Sequence, residues 1–128
     1  MIEPEFLTLA DVLLMHNDQI RRYGGNIDVH DLSLLESAIA QPQARFGDRW
    51  LHPGLYLMAA AYAFHIVKNH PFVDGNKRTA LNAAAMFLCL NGKEIRGPVD
   101  SLTEATWHLS ETKMTKEEYA EVLKQVFW

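Results

Sequence analysis

One nine-residue stretch, His70-Pro71-Phe72-Val73-Asp74-Gly75-Asn76-Lys77-Arg78, constrains this chain more than any other. It separates two apolar segments of helical periodicity and breaks rules that both would otherwise obey. Pro71 lacks an N–H and disfavours α backbone at the residue before it. The helix carrying Leu57, Ala61, Phe64 and Ile66-Val67 must therefore end near Asn69, with His70 extended. The next helix begins at about Asn76 with two adjacent cations. A helix N-terminus carries about half a positive charge, so Lys and Arg there cost about a few tenths of a kcal/mol each. No carboxylate falls between Gly75 and Lys93 to offset them. Exposed N–H groups with added positive charge suit an anion, phosphate above all. Asp74 can cap this helix, ligate Mg²⁺, or do both, and Asn76 can cap in its place. Phe72 reads as an anchor that pins the loop to the core.

The rest of the chain is helical in pattern. Leu9, Val12, Leu13, His16 and Ile20 recur at helix spacing behind a Thr8/Asp11 capping box, and Gly24-Gly25 ends that helix. A short helix runs from about Asp31 to Ala40, with Leu32, Leu35 and Ile39 inward and Pro42 stopping it. Residues 41–52 lack a period and read as a loop, with room for a short hairpin or flap around residues 44–52. Pro53 suits the first position of the third helix, and Asn91-Gly92 closes the fourth. Ser101/Glu104 and Thr115/Glu118 read as capping boxes of two more, the first before Trp107 and Leu109, the second before Tyr119, Val122, Leu123 and Val126. The expectation is one all-α domain over residues 1–128, a single bundle of about six helices.

Composition narrows the function classes. A net charge of −4 leaves no overall electrostatic footprint for nucleic acid or an anionic membrane. The apolar runs around Leu55–Val67 and Ala83–Leu90 are too short or interrupted to span a bilayer. Glu3 and Glu5 stand where a secretory signal would be basic, so the expected compartment is the cytoplasm. The single cysteine, Cys89, cannot form an internal disulfide, and its apolar setting predicts a buried thiol.

A histidine at a helix end is ordinarily structural. His70 differs because it lies across a tight loop from the anion site, where a neutral imidazole can take a proton from an attacking hydroxyl. Other chemistries fit poorly. Asn76 replaces the glycine a P-loop needs before its lysine. His65 and His70 fall on different helical faces, against zinc. No GxGxxG, HExxH, EF-hand or GxSxG pattern occurs, and His16, His30, His52 and His108 show no partner spacing.

His70, Phe72, Asp74, Gly75, Asn76 and Arg78 resemble the signature of the Fic/Doc superfamily, His-x-Phe-x-Asp/Glu-Gly-Asn-Gly-Arg-x-x-Arg. Lys77 replaces its second glycine and Leu81 its final arginine, which is the pattern of the Doc, or death-on-curing, branch. The run Asn76-Lys77-Arg78-Thr79-Ala80-Leu81-Asn82, the Arg22-Tyr23-Gly24-Gly25 turn and the Leu34–Ala38 helix resemble that branch too. The resemblance implies the Fic/Doc fold and a kinase that phosphorylates a threonine of elongation factor Tu with Mg·ATP. It further implies His70 as base, Asp74 at the metal, and Lys68, Gly75, Asn76, Lys77, Arg78 and Asn82 at the nucleotide. Lys68 stands where some Doc proteins carry Arg. A Phd-like antitoxin would provide control, since the inhibitory Ser/Thr-x-x-x-Glu-Gly/Asn motif of many Fic proteins is missing here. The free protein is expected to be a monomer. An AMP-transferring Fic enzyme, or an inert module that only holds an antitoxin, are the alternatives.

Overall fold

Capping chemistry sets the start of the first helix, α1 (Leu9–Tyr23). The Thr8 hydroxyl accepts from the Asp11 N–H at 3.1 Å, and the Asp11 carboxylate accepts from the Thr8 N–H at 2.9 Å. Two otherwise unpaired donors are satisfied in this way. The computed structural model describes residues 3–128. After α1 come α2 (Leu32–Ala40), a 3-10 turn (Gln41–Gln43), and the strands β1 (Arg45–Phe46) and β2 (Arg49–Trp50). Then follow α3 (Leu55–Asn69), α4 (Asn76–Leu90), α5 (Asp100–Ser110) and α6 (Lys116–Val126). Six α-helices among the described residues match the all-α expectation. The two strands pair antiparallel, Arg45 opposite Trp50 and Phe46 opposite Arg49, which is the hairpin expected in residues 44–52. No helix among the described residues is long and apolar enough to cross a membrane.

The core is built around α3, which packs against α2, α4, α5 and α6. Met58, Ala59, Ala60, Ala61, Tyr62, Ala63 and Ile66 are all buried, so this helix has almost no solvent face. Its alanines meet Ala80, Ala83 and Ala84 of α4, and small side chains let two helix axes approach closely. The buried phenols keep partners. Tyr62 accepts the Leu7 N–H at 2.9 Å, and the Tyr119 hydroxyl bonds that of Thr106 at 2.8 Å. Burial pushes both phenols up to about 12.

Four local expectations are corrected. The third helix starts at Leu55 behind Gly54, so Pro53 precedes it instead of occupying its first position. Ser101 does not cap α5. Val99 takes the cap position without a side-chain bond, the Leu102 N–H donates to the Val99 carbonyl at 3.0 Å, and the Ser101 hydroxyl donates back to the Pro98 carbonyl. Leu32 is exposed, and α2 buries Leu35, Ala38 and Ile39 instead. Cys89 is also exposed. The inward face of α4 is taken by Ala80, Ala83, Ala84, Phe87 and Leu88, which leaves Cys89 on the outer side with Met86.

A polar cluster joins the segment after the hairpin to α3 and α6. The His52 Nδ1 donates to the Gln41 carbonyl at 3.1 Å, leaving its Nε2 to accept from the Lys116 ammonium at 2.9 Å. The same ammonium donates to His65 Nε2 at 3.2 Å. Both imidazoles must be neutral to accept. Burial, then Lys116, then His52 push the His65 ring down to about 4. Its ordinary value is about 6.5, so between those limits the unfolded chain binds the extra proton and the folded chain does not. Stability is therefore complete above pH 6.5 and falls as the pH drops toward 4. Because the ring is only half-buried, the loss should be roughly 1.5 kcal/mol after allowance for solvent screening. Thermal melts at pH 7 and pH 4.5 should show a smaller acid penalty for His65→Gln than for the natural protein; equal penalties would exclude His65 as the source.

Candidate functional site

The loop between α3 and α4 is held from within, from below and from one side. Within it, the Asn76 amide closes a ring. Its Oδ1 accepts the Phe72 N–H at 3.1 Å and its Nδ2 donates to the Phe72 carbonyl at 2.8 Å. Below, Phe72 is fully buried and stacks on the His16 ring, with centroids 3.7 Å apart and planes 6° from parallel. His16 Nε2 lies 2.8 Å from the Asp74 carbonyl. A carbonyl only accepts, so that nitrogen carries the proton. At the side runs the segment following α1. Pro71 O accepts from His30 N at 2.7 Å and Asp31 N at 3.0 Å, and Val73 N donates to Asp28 O at 3.1 Å. Asn26 N donates to Asp74 Oδ2 at 2.7 Å.

Two glycines make this packing possible. Gly75 has φ +84°, and a Cβ there would meet Ile20 Cδ1 at 3.3 Å and His16 Cδ2 at 3.4 Å. Gly25 has φ +115°, and a Cβ would press on the Asp74 Cβ at 3.1 Å. Positive φ and close approach both favour a residue without a side chain.

His70 departs from the extended backbone expected before Pro71. It caps α3 in the left-handed region, φ 49° and ψ 56°, with its N–H donating to Ile66 O at 3.1 Å. The proline ring disfavours the right-handed region, and a left-handed turn ends the helix just as abruptly. A non-glycine residue pays roughly 1–2 kcal/mol for this conformation. Such strain concentrates at functional positions. The His70 side chain is exposed and makes no hydrogen bond with the described residues.

His70, Asp74, Gly75, Asn76, Lys77, Arg78 and Asn82 line one cavity of about 900 Å³. That is room for a nucleotide-sized ligand. Lys77 and Arg78 bring positive charge to it, on the α4 N-terminus. The Lys77 ammonium lies 4.8 Å from the centre of the Trp107 ring, and the Arg78 guanidinium lies 3.9 Å from that of Tyr23.

Three site expectations change. Lys68 is not brought to the cavity. It sits about 100° round the helix from Val67, which does line it, and its ammonium donates to the Thr112 hydroxyl at 2.5 Å. Asp74 does not cap α4, because Gly75 takes that position without a side-chain bond. Asn76 does not cap either. Its side chain is spent on Phe72, and it can offer an anion only its backbone N–H. Asp74 keeps lone pairs beyond the one used by Asn26. Mg²⁺ is commonly held by one or two carboxylates together with phosphate and water, so a lone exposed Asp74 fits a nucleotide-borne magnesium ion. No group of three or more His, Cys, Asp or Glu side chains among the described residues could hold a metal unaided.

Several lining residues escaped the sequence reading: Gln19 and Tyr23 from α1, and Thr103, Trp107 and Ser110 from α5. His16 was missed as the support of the loop. Its only trace in the sequence is a polar residue between Val12 and Ile20 on an otherwise apolar face.

A family model described as the Fic/DOC family matches residues 6–88, well over half of the chain. The chain belongs to the Fic/DOC family. It is 40% identical over 96 residues to Toxin Doc of Mycolicibacterium smegmatis, covering 75% of this chain and 72% of that protein. It is 35% identical over 85 residues to Protein kinase doc of Escherichia phage P1, covering 66% of this chain and 67% of that protein. The span matched by the Fic/DOC model holds α1 to α3, the loop that carries His70 and all but the last two residues of α4. The α5 wall of the cavity lies beyond it.

Proposed function

We propose that this Fic/DOC chain is a Doc-type toxin acting as a protein kinase. It would move the γ-phosphoryl group of Mg·ATP to a threonine hydroxyl of elongation factor Tu and so arrest translation in the cytoplasm. A Phd-like antitoxin would restrain it. One observation carries the reading: an exposed His70 imidazole opens on the same cavity as the cationic start of α4. The names of the two relatives, a toxin and a protein kinase, support it.

In this reading His70 takes the proton of the threonine hydroxyl as its oxygen bonds the γ-phosphorus. The bond from that phosphorus to the β–γ bridging oxygen breaks, and ADP leaves. Lys77, Arg78 and the N–H groups of the first α4 turn stabilise charge on the phosphoryl oxygens. Asn82 lies one turn beyond Arg78 on the same face and reaches the nucleotide. Magnesium held by Asp74 would neutralise charge on the phosphates. Lys77 occupies the place of a glycine in the Fic signature. A lysine there fills the space that a glycine leaves for phosphate, which favours a nucleotide turned with its γ-phosphate toward His70.

The deciding experiment supplies elongation factor Tu with ATP labelled at either the γ- or the α-phosphate. Label on a threonine from the γ position alone is the expected result. Label from the α position would instead assign AMP transfer. No label, with growth unaffected when the chain is expressed alone, would leave only an inert antitoxin-binding module.

A further inference from the structure

The phosphate-binding half of the cavity accounts for only part of its lining. Another part comes from α5, where Thr103, Thr106, Trp107 and Ser110 share one helix face by their spacing and carry no charge. Thr106 is buried and its hydroxyl is committed to Leu102 and Tyr119. Trp107 is different: 54% of it is exposed. We propose that Trp107 is the platform on which the base of a nucleotide stacks, making the ligand a purine nucleoside triphosphate held by its ring as well as its phosphates. This assignment rests on the nucleotide reading above.

Two aromatic rings flank the cavity, and the structure distinguishes them. Tyr23 lies under the Arg78 guanidinium carbon at 3.9 Å, a close contact over its face of the kind a flat guanidinium favours. Trp107 lies under the Lys77 ammonium at a looser 4.8 Å. Lysine is a point charge on a flexible stem, and a phosphate oxygen is a stronger partner for it than a ring. Once Lys77 turns to phosphate, the larger indole face is free for a base, whereas Arg78 can stay on Tyr23. Base stacking on an aromatic side chain tolerates different bases because each has a π-face, and a purine covers more of the indole than a pyrimidine does.

The test compares binding of Mg·ATP and of magnesium tripolyphosphate by calorimetry, for the full chain and its Trp107→Ala and Trp107→Phe variants. Circular dichroism melts confirm that each variant is folded. Trp107→Ala should weaken Mg·ATP by about tenfold while tripolyphosphate binds at least as well as before. Trp107→Phe should recover most of the loss, and Mg·CTP should bind the natural protein less tightly than Mg·ATP. Equal weakening of ATP and tripolyphosphate would show that Trp107 only positions Lys77, and unchanged ATP binding would remove the ring from the site; either result overturns the assignment. If the natural protein binds tripolyphosphate but gains nothing from the base, the platform alone fails. Should it bind neither ligand, the nucleotide reading falls as well.

Discussion

Replacing His70 with alanine is expected to reduce phosphoryl transfer by about a hundredfold or more, the usual contribution of a positioned general base. The loss should appear in kcat, with the KM for Mg·ATP little changed, because the phosphate-binding groups are on α4 and in the loop before it. The fold should survive, since the imidazole makes no hydrogen bond with the described residues and is exposed. His70→Gly sharpens the test. Its backbone sits at φ 49°, where glycine is unstrained, so this variant should melt no lower than His70→Ala while being as inactive. Undiminished phosphorylation by either variant would remove His70 from the chemistry.

Phe72→Ala should be the most damaging change to stability in this region. The ring is fully buried and lies flat on His16, and removing a buried phenylalanine costs about 3 to 5 kcal/mol. For a chain of this size that lowers the melting temperature by on the order of 10 °C or more. The consequence for function follows from what Phe72 supports. Its backbone carries both bonds of the Asn76 clamp, and its ring steadies the histidine that holds the Asp74 carbonyl. Activity at a temperature where the variant is still folded should therefore fall too. A melting temperature within a few degrees of the natural protein would show that the loop is anchored otherwise.

Much of the architecture could be read from local rules because local rules produce it. The Thr8/Asp11 and Thr115/Glu118 boxes form as their spacing requires, since a capping box involves only residues three apart. The signature loop was also legible, because Pro71, Gly75 and the adjoining cations are anomalies against any helical background. Where two local devices competed, pattern was insufficient. α5 started at Asp100 behind Val99, ahead of Ser101, and the left-handed cap at His70 replaced an extended residue. Cys89 was misread because an apolar run says nothing about which side of a helix meets a neighbour.

By itself, then, the sequence determined the helices, their order, and a cationic helix start beside a histidine. Periodicity, caps and charge are properties of neighbouring residues, and they hold wherever the segment ends up. Only the tertiary structure decided that Asn26 would hold the Asp74 carboxylate, that His16 would stack under the loop, and that α5 would close the cavity with Trp107. Those contacts join residues far apart in the chain. They depend on how helices pack in three dimensions, which nearest-neighbour chemistry does not encode.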